Sequence, residues 1–106
     1  MKKIKVFEPA RGLKKFSGIM FRRRVGNPLV FTFNSEARFV NAIHSFFCVE
    51  FDAIFLDSKR RIVDIKRVKP FRPLVVSSKP CKYLIEAEAG YAKKNGWILG
   101  DVVFWK

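Results

Sequence analysis

Alternating apolar and polar positions recur along the chain and predict a protein built mainly of strands. Within the strand predicted at residues 28–34, three large apolar side chains fall on one face: Leu29, Phe31 and Phe33. Residues 51–57 are rich in aromatic and aliphatic side chains and give the clearest strand signal. The same patterns predict further strands at residues 2–7, 61–68, 81–87 and 101–105.

Turn-forming residues separate these strands and indicate how two of them pair. The polar stretch 57–60 lies between two predicted strands, so residues 51–57 and 61–68 are expected to form a β-hairpin. Proline cannot donate a hydrogen bond to a sheet, and residues 69–80 contain three of them. That stretch is therefore expected to be an extended loop, with residues 75–77 at most an edge strand.

Helical signals are few and short. Pro9 suits the first turn of a helix at 9–17, and Asn95–Gly96 is a good end for one at 89–95. Residues 38–47 are ambiguous, because the apolar spacing is helical while the aromatic content favours a strand. The sum is an α+β, β-rich fold: a compact, mostly antiparallel sheet or barrel-like single globular domain over residues 1–106, with one or two short helices.

Charge adds the first functional indication. The 106 residues include 22 Lys and Arg against 9 Asp and Glu, a formal net charge of +13. Eighteen of the 22 cations fall in two blocks, residues 1–24 and 59–82. If these blocks meet in the fold, they form one positive face that would attract nucleic acid or another polyanion. The residues expected on this face are Arg23, Arg24, Arg60, Arg61, Lys66 and Arg67.

Two aromatic residues lie inside the basic blocks, Phe16 and Phe71. An exposed aromatic ring beside cations can stack on a nucleic-acid base. Phenylalanine is usually buried, however, so both are expected to belong to the core. No zinc-finger, RNP, GXXG or basic-zipper pattern is present, so a sequence-specific reader is not indicated.

Several classes of protein find no support in the sequence. No apolar run approaches the roughly 20 residues of a membrane-spanning helix, and no signal peptide is evident, so a soluble, cytoplasmic protein is expected. The two cysteines, Cys48 and Cys81, lack metal-binding spacing. No nucleotide-binding or catalytic motif occurs. We therefore expect no metal, no cofactor and no catalytic residue.

A few polar residues stand out against their apolar neighbours. Asp52 shares a strand face with Ile54, and Glu86 shares one with Leu84. A carboxylate on an apolar face needs a partner, and Arg22 is the preferred one because a guanidinium can bridge it through two hydrogen bonds. With His44, the single histidine, these residues form either a structural ion-pair network or a small ligand-binding pocket.

Four segments, in order, resemble the family known as domain of unknown function 192, or uncharacterised protein family 0127. They are Gly18–Arg22, Pro28–Phe33, Phe51–Asp57, and a last block from Pro80 through Glu86 and Ala89–Gly90 to Gly100–Asp101. The resemblance implies a compact β-rich domain and assigns no activity. Arg22, Asp52 and Glu86 match family positions, which fits one shared polar network. The stretch 43–47 departs from the family pattern.

Two main functional hypotheses follow, and a third possibility is a structural accessory to a larger complex, which an exposed aromatic patch would mark. The first is a non-enzymatic basic binding domain for an anionic partner, with nucleic acid favoured. The alternative is a small-ligand-binding protein or enzyme with a polar pocket around Arg22, Asp52 and Glu86. The second requires these side chains to converge on one cavity.

Overall fold

Two strands that are apolar on both sides lie at the centre of the structure and determine its layers. The computed structural model describes residues 2–3, 28–41, 43, 49–72 and 74–105. Its main sheet has four strands in the order β2-β5-β3-β4, all antiparallel to their neighbours. The strands are β2 (Leu29–Ala37), β3 (Phe51–Leu56), β4 (Ile62–Val68) and β5 (Cys81–Glu88).

Three smaller elements complete the described part of the chain. Strand β1 (Lys2–Lys3) pairs in parallel with β6 (Val103–Phe104). Helix α1 (Tyr91–Lys94) follows β5, and a 3-10 turn (Phe39–Asn41) follows β2. The β-rich, mostly antiparallel fold with a short helix is as predicted. The predicted helix at 9–17 and positions 4–7 of the first predicted strand lie outside the described residues.

Each face of the main sheet carries its own apolar cluster. Side chains of Phe31, Phe51, Phe55 and Leu84 lie in one cluster. Successive residues of a strand point to opposite faces, so Val30, Ile54 and Ile85 belong to the other. That second cluster is covered by Ala92 of α1, Trp97 and Val103 of β6. All six residues of β3 are consequently buried.

The end of β2 is fixed by a buried amide, which resolves part of the ambiguous segment 38–47. The side-chain nitrogen of Asn41 donates to the carbonyl of Ser35 at 2.8 Å and to that of Cys81 at 2.7 Å. These bonds hold the irregular end of β2 against β5, where the register shifts between Thr32 and Ala37. Ile43 then pairs with Val75 of the proline-rich loop in a single bridge.

The predicted hairpin between β3 and β4 forms, with a three-residue loop. Asp57 and Arg61 close the loop by a backbone bond of 2.9 Å, and Arg60 donates back to the Asp57 carbonyl. Arg60 has φ of 64°, a left-handed conformation in which this loop type favours glycine. The contacts of its side chain account for an arginine at this position, because its Cζ lies 4.1 Å from the ring centroid of Trp105 and 5.6 Å from that of Tyr83.

The same loop joins the main sheet to β6. Val103 donates to the carbonyl of Arg60 at 3.0 Å, and Ile62 donates to that of Asp101 at 2.8 Å. Because β6 also pairs with Lys2–Lys3, the backbone at the start of the first basic block lies one strand away from the start of the second.

Substitution of Arg60 should separate the stabilisation that its side chain gains from stacking on Trp105 from the cost of its left-handed backbone. Arg60→Ala is expected to lower the free energy of unfolding by about 1 kcal/mol, because the stacking on Trp105 is lost while the left-handed backbone remains. Arg60→Gly is expected to stay within roughly 0.5 kcal/mol of the wild type, since glycine removes a backbone cost of about 1 kcal/mol. Urea unfolding measures both, and equal losses would contradict this account.

Candidate functional site

Of the ten residues singled out from the sequence, six can be placed. Arg22, Arg23, Arg24 and His44 lie outside the described residues. The placed residues are Asp52, Arg60, Arg61, Lys66, Arg67 and Glu86.

Asp52 is a buried carboxylate that joins three parts of the fold. It accepts hydrogen bonds from the backbone N–H groups of Gly90, at 3.1 Å, and Ala92, at 3.0 Å. It also accepts one from Nε of Arg67, at 2.8 Å, on the neighbouring strand β4. A guanidinium partner for Asp52 is therefore found, and the one that the structure describes is Arg67.

Arg67 has a second carboxylate partner and is half exposed. Its Nη1 lies 3.1 Å from Oε2 of Glu50, which is also partly exposed. Hydrogen bonds to Asp52 and then to Glu50 raise the pKa of Arg67 above its ordinary value. Gly90 completes the arrangement: its φ is 89°, and a Cβ there would lie 3.5 Å from Nη2 of Arg67. Gly90 thus has a structural role, because it donates its N–H to Asp52 from a left-handed conformation that favours glycine.

Asp52 and Glu86 do not converge, which corrects the expectation of one pocket around both. Directly opposite residues of antiparallel strands share a face, and Asp52 is opposite Ala87 whereas Glu86 is opposite Ala53. The two carboxylates therefore leave the sheet on opposite sides. Glu86 is 7% exposed, lies on the face with Leu84, and makes interactions of its own.

The four placed residues of the expected basic face lie along one hairpin but do not form one face. Lys66 and Arg67 are adjacent on β4, so their side chains leave the strand on opposite sides. Three of the four are in ion pairs: Arg61 with Asp57 at 3.0 Å, Lys66 with Asp64 at 3.6 Å, and Arg67 with Asp52 and Glu50. Arg60 is stacked on Trp105.

Asp57 supports the hairpin loop rather than a binding site. Desolvation opposes its charged form, but hydrogen bonds from the N–H groups of Arg61 and Lys59 and from the Arg61 side chain outweigh it and lower its pKa. Asp57 is one of several groups around a shallow depression of about 280 Å³ with mixed charges. The others are Glu36, Ser58, Lys59, Arg61, Val63, Lys79 and Pro80.

A second, more uniformly charged depression lies where β4 runs into the proline-rich loop. This basic groove has a volume of about 310 Å³ and is open to solvent. Among the described residues, cations and aliphatic side chains line it, and no acidic residue does. They are Lys66, Arg67, Val68, Lys69, Arg72, Leu74, Val75 and Val76.

Sequence analysis did not single out Lys69, Arg72 and Leu74, although all three lie inside the second basic block. The signal was the order Lys69-Pro70-Phe71-Arg72, in which proline suits the second position of a β-turn. Phe71 follows with φ of 63°, as the third position of a type II turn requires. Glycine or asparagine is usual there.

Phe71 is 65% exposed, so the expectation that it belongs to the core is wrong. In sequence it lies between Lys69 and Arg72, which both line the groove. Leu74, on the other side of Arg72, is 62% exposed. Leu74 lines the groove together with its cations.

Cys81 has neither the environment of a nucleophile nor that of a metal ligand. It is buried, and desolvation raises the pKa of its thiol to about 11. Over the described ranges, no group of three His, Cys, Asp or Glu residues is placed to hold a metal ion. The same part of the chain contains no helix long and apolar enough to cross a membrane.

Comparison with known families agrees with the segment pattern of the sequence. The sequence profile of DUF192, described as Uncharacterized ACR, COG1430, matches residues 2–105. The chain belongs to the DUF192 family. The family is of uncharacterised function, so membership supplies the fold and no activity.

Curated relatives of this DUF192 chain include proteins of Thermococcus and Pyrococcus. A UPF0127 protein of Thermococcus sibiricus is 39% identical over 94 residues, which are 88% of this chain and 60% of that protein. A UPF0127 protein of Pyrococcus abyssi is 38% identical over 94 residues, again 88% of this chain and 79% of that one. The chain thus spans about 60% of the length of the Thermococcus relative.

Two solved structures share the DUF192 fold at low identity. A protein of unknown function from Novosphingobium aromaticivorans superposes with a TM-score of 0.81 at 22% identity, covering 92% of this chain and 71% of that one. A protein named as a candidate transcription regulator from Sinorhizobium meliloti gives 0.82 at 22% identity, covering 92% and 78%. At this identity the likeness establishes the fold alone.

Removal of the Asp52 carboxylate should destabilise the fold. Asp52→Ala is expected to lower the free energy of unfolding by about 2–3 kcal/mol, because it leaves the buried Ala92 N–H without an acceptor. Asp52→Asn keeps one acceptor oxygen and is expected to lose less. Glu50→Gln is the control, since it removes the more exposed partner of the same arginine, and it should cost under about 1 kcal/mol. Urea unfolding that ranks Glu50→Gln with Asp52→Ala would contradict this assignment.

Proposed function

We propose that this DUF192 chain is a non-enzymatic binding domain that holds an anionic partner, with nucleic acid favoured, in the basic groove lined by residues 66–69, 72 and 74–76. The observation that carries the proposal is the lining of that groove. The residues that line it include Lys66, Arg67, Lys69 and Arg72 beside several aliphatic residues, and no described acidic residue is among them. The other depression mixes both signs of charge and would hold a polyanion less well.

Electrostatics favours such a partner before any contact is made. A net charge of +13 on 106 residues creates a positive potential around the protein and speeds association with anions. Lys69 and Arg72 are exposed and line the groove, and they are the residues to which we assign the contacts with phosphate. The name of the Sinorhizobium protein points to the same class of partner, although 22% identity carries only the fold.

The alternative of a small-ligand pocket around Asp52 and Glu86 has less support. The acceptor oxygens of Asp52 are engaged by Gly90, Ala92 and Arg67. A ligand would have to displace these bonds. Glu86 lies on the other face of the sheet and cannot share the ligand.

Binding to a short fluorescein-labelled single-stranded oligonucleotide, followed by fluorescence polarisation over a range of salt, tests the proposal. Affinity should fall steeply between about 50 and 200 mM salt, because bound phosphates release counterions. In the double variant Lys69→Gln/Arg72→Gln, the slope of log K against log salt should become shallower by about 1.4, which is two single-strand phosphate contacts at roughly 0.7 each.

The matched control is Lys59→Gln/Lys79→Gln, which removes the same charge from the mixed depression. It should change the slope far less, since any remaining effect comes from net charge alone. Absence of binding by the wild-type chain at low salt would overturn the proposal. So would equal effects of the two double variants.

A further inference from the structure

We infer that Asn95–Gly96 is a site of spontaneous deamidation, and that this modification loosens the end of α1 over the second apolar cluster. The inference goes beyond the proposed function and does not depend on it, because no residue that lines the basic groove takes part. Three observations carry it: the order of the two residues, their exposure, and the short helix that holds them.

The reaction needs only these two residues and water. The backbone nitrogen of Gly96 attacks Cγ of Asn95, a C–N bond forms, and the side-chain nitrogen leaves as ammonia with the proton that Gly96 loses. Water then opens the resulting succinimide ring, and no oxidant or reductant is required. Cleavage of the bond to Cγ leaves aspartate, whereas cleavage of the bond to the backbone carbonyl carbon leaves isoaspartate, in which the chain runs through Cγ.

Asn95 differs from the other three asparagines of the sequence in the residue that follows it. Glycine has no Cβ to crowd the attack, whereas Asn34 precedes serine and Asn41 precedes alanine. Asn27 precedes proline, whose nitrogen carries no hydrogen to lose. Asn41 is also buried, and its side-chain nitrogen donates to three backbone carbonyls. Asn95 is therefore the asparagine at which ring closure is expected to be fastest.

The fold leaves the two residues accessible. Both Asn95 and Gly96 are exposed, so water can reach the ring that they form. A Cβ at Gly96 would meet no atom of the described residues within 4 Å, apart from those of its chain neighbours. The space beside the attacking residue is therefore open.

Hydrogen bonds at the end of α1 slow the reaction without preventing it. The side-chain nitrogen of Asn95 donates to the carbonyl of Tyr91 at 2.8 Å, and the nitrogen of Gly96 donates to that of Lys93 at 3.2 Å. Both bonds have to break before the nitrogen of Gly96 can turn towards Cγ. Helix α1 has four residues, and so short a helix has little stability of its own. The reaction is therefore expected to proceed through local opening of this turn.

The products lose what the asparagine supplies to the fold. A carboxylate cannot donate a hydrogen bond, so aspartate at position 95 loses the side-chain bond to the Tyr91 carbonyl. Isoaspartate also lengthens the backbone by one carbon shortly before Trp97, whose N–H donates to the carbonyl of Ala92 at 2.8 Å. Trp97 and Ala92 both belong to the second cluster, so the modification weakens the cover of one face of the sheet.

Peptide mapping by mass spectrometry tests the site. The protein is incubated at mildly alkaline pH, where the nitrogen of Gly96 loses its proton more readily, and is then digested at acidic pH, where the reaction is slow. The fragment that contains Asn95 should gain one dalton several times faster than those that contain Asn34 or Asn41. An isoaspartyl methyltransferase should label the same fragment. Incubation in urea should be faster still, because the bonds at the end of α1 are then broken.

Asn95→Gln is the matched control for the site. Its amide can still donate a hydrogen bond but lies one methylene further from the backbone, so a five-membered ring cannot form and the fragment should keep its mass. Equal conversion of Asn34, Asn41 and Asn95 would overturn the inference. So would conversion of Asn95 in urea with none in the folded protein.

Thermal unfolding tests the effect on α1. Asn95→Asp, which has the sequence of one product, is expected to unfold roughly 2–5 °C below the wild type, because the side-chain bond to Tyr91 is lost. Asn95→Gln should unfold close to the wild type. An unchanged unfolding temperature of Asn95→Asp would overturn the loosening of α1. The proposed function stands or fails separately, with the salt dependence of Lys69→Gln/Arg72→Gln.

Discussion

The buried carboxylate of Asp52 is the interaction on which the arrangement of this fold depends. Strand β3 is buried along its whole length, so an ionisable side chain within it has to be fully bonded. Asp52 meets that requirement by accepting bonds from α1 and from β4 at once. One side chain thereby fixes the helix over one face of the sheet and orients the arginine at the sheet's edge. The burial of that face by Ala92 and Trp97 then follows from the placement of α1.

The strands were predictable because their own residues carry the pattern, whereas their register was not. A two-residue loop at Ser58–Lys59 would place Ile65 opposite Asp52. The observed three-residue loop, with a further register shift between Phe55 and Leu56, places Arg67 there instead. The sequence at position 60 does not indicate the left-handed conformation that this loop needs. The residue there is an arginine, and its side chain stacks on Trp105, which is distant in the sequence. Because the register of β4 depends on this loop, the sequence did not indicate that Arg67 is the partner of Asp52.

The sequence did not predict the site correctly, because that required knowing which residues of β3 and β5 lie on the same face of the sheet. Each carboxylate was placed correctly relative to the apolar residues of its own strand. Both faces of the central strands are buried, however, so an apolar neighbourhood does not distinguish one side of the sheet from the other. Phenylalanine is generally buried, but Phe71 follows Pro70 at a left-handed turn position and is exposed, so the local turn outweighs the general tendency of the residue type. The concentration of cations after residue 59 was visible in the sequence, but their local pairing with Asp57 and Asp64 was not.

The parallel pairing of β1 with β6 has a consequence for the order in which the fold assembles. It joins residues separated by roughly one hundred positions. In an unfolded chain, closure of so long a loop is entropically costly, whereas the β3–β4 hairpin needs only a short one. Once the bond from Val103 to Arg60 holds β6 against the hairpin loop, β1 has only to pair with a strand that is already in place. We therefore expect the pair to form last, as a late and locally reversible step that opens before the main sheet in hydrogen exchange.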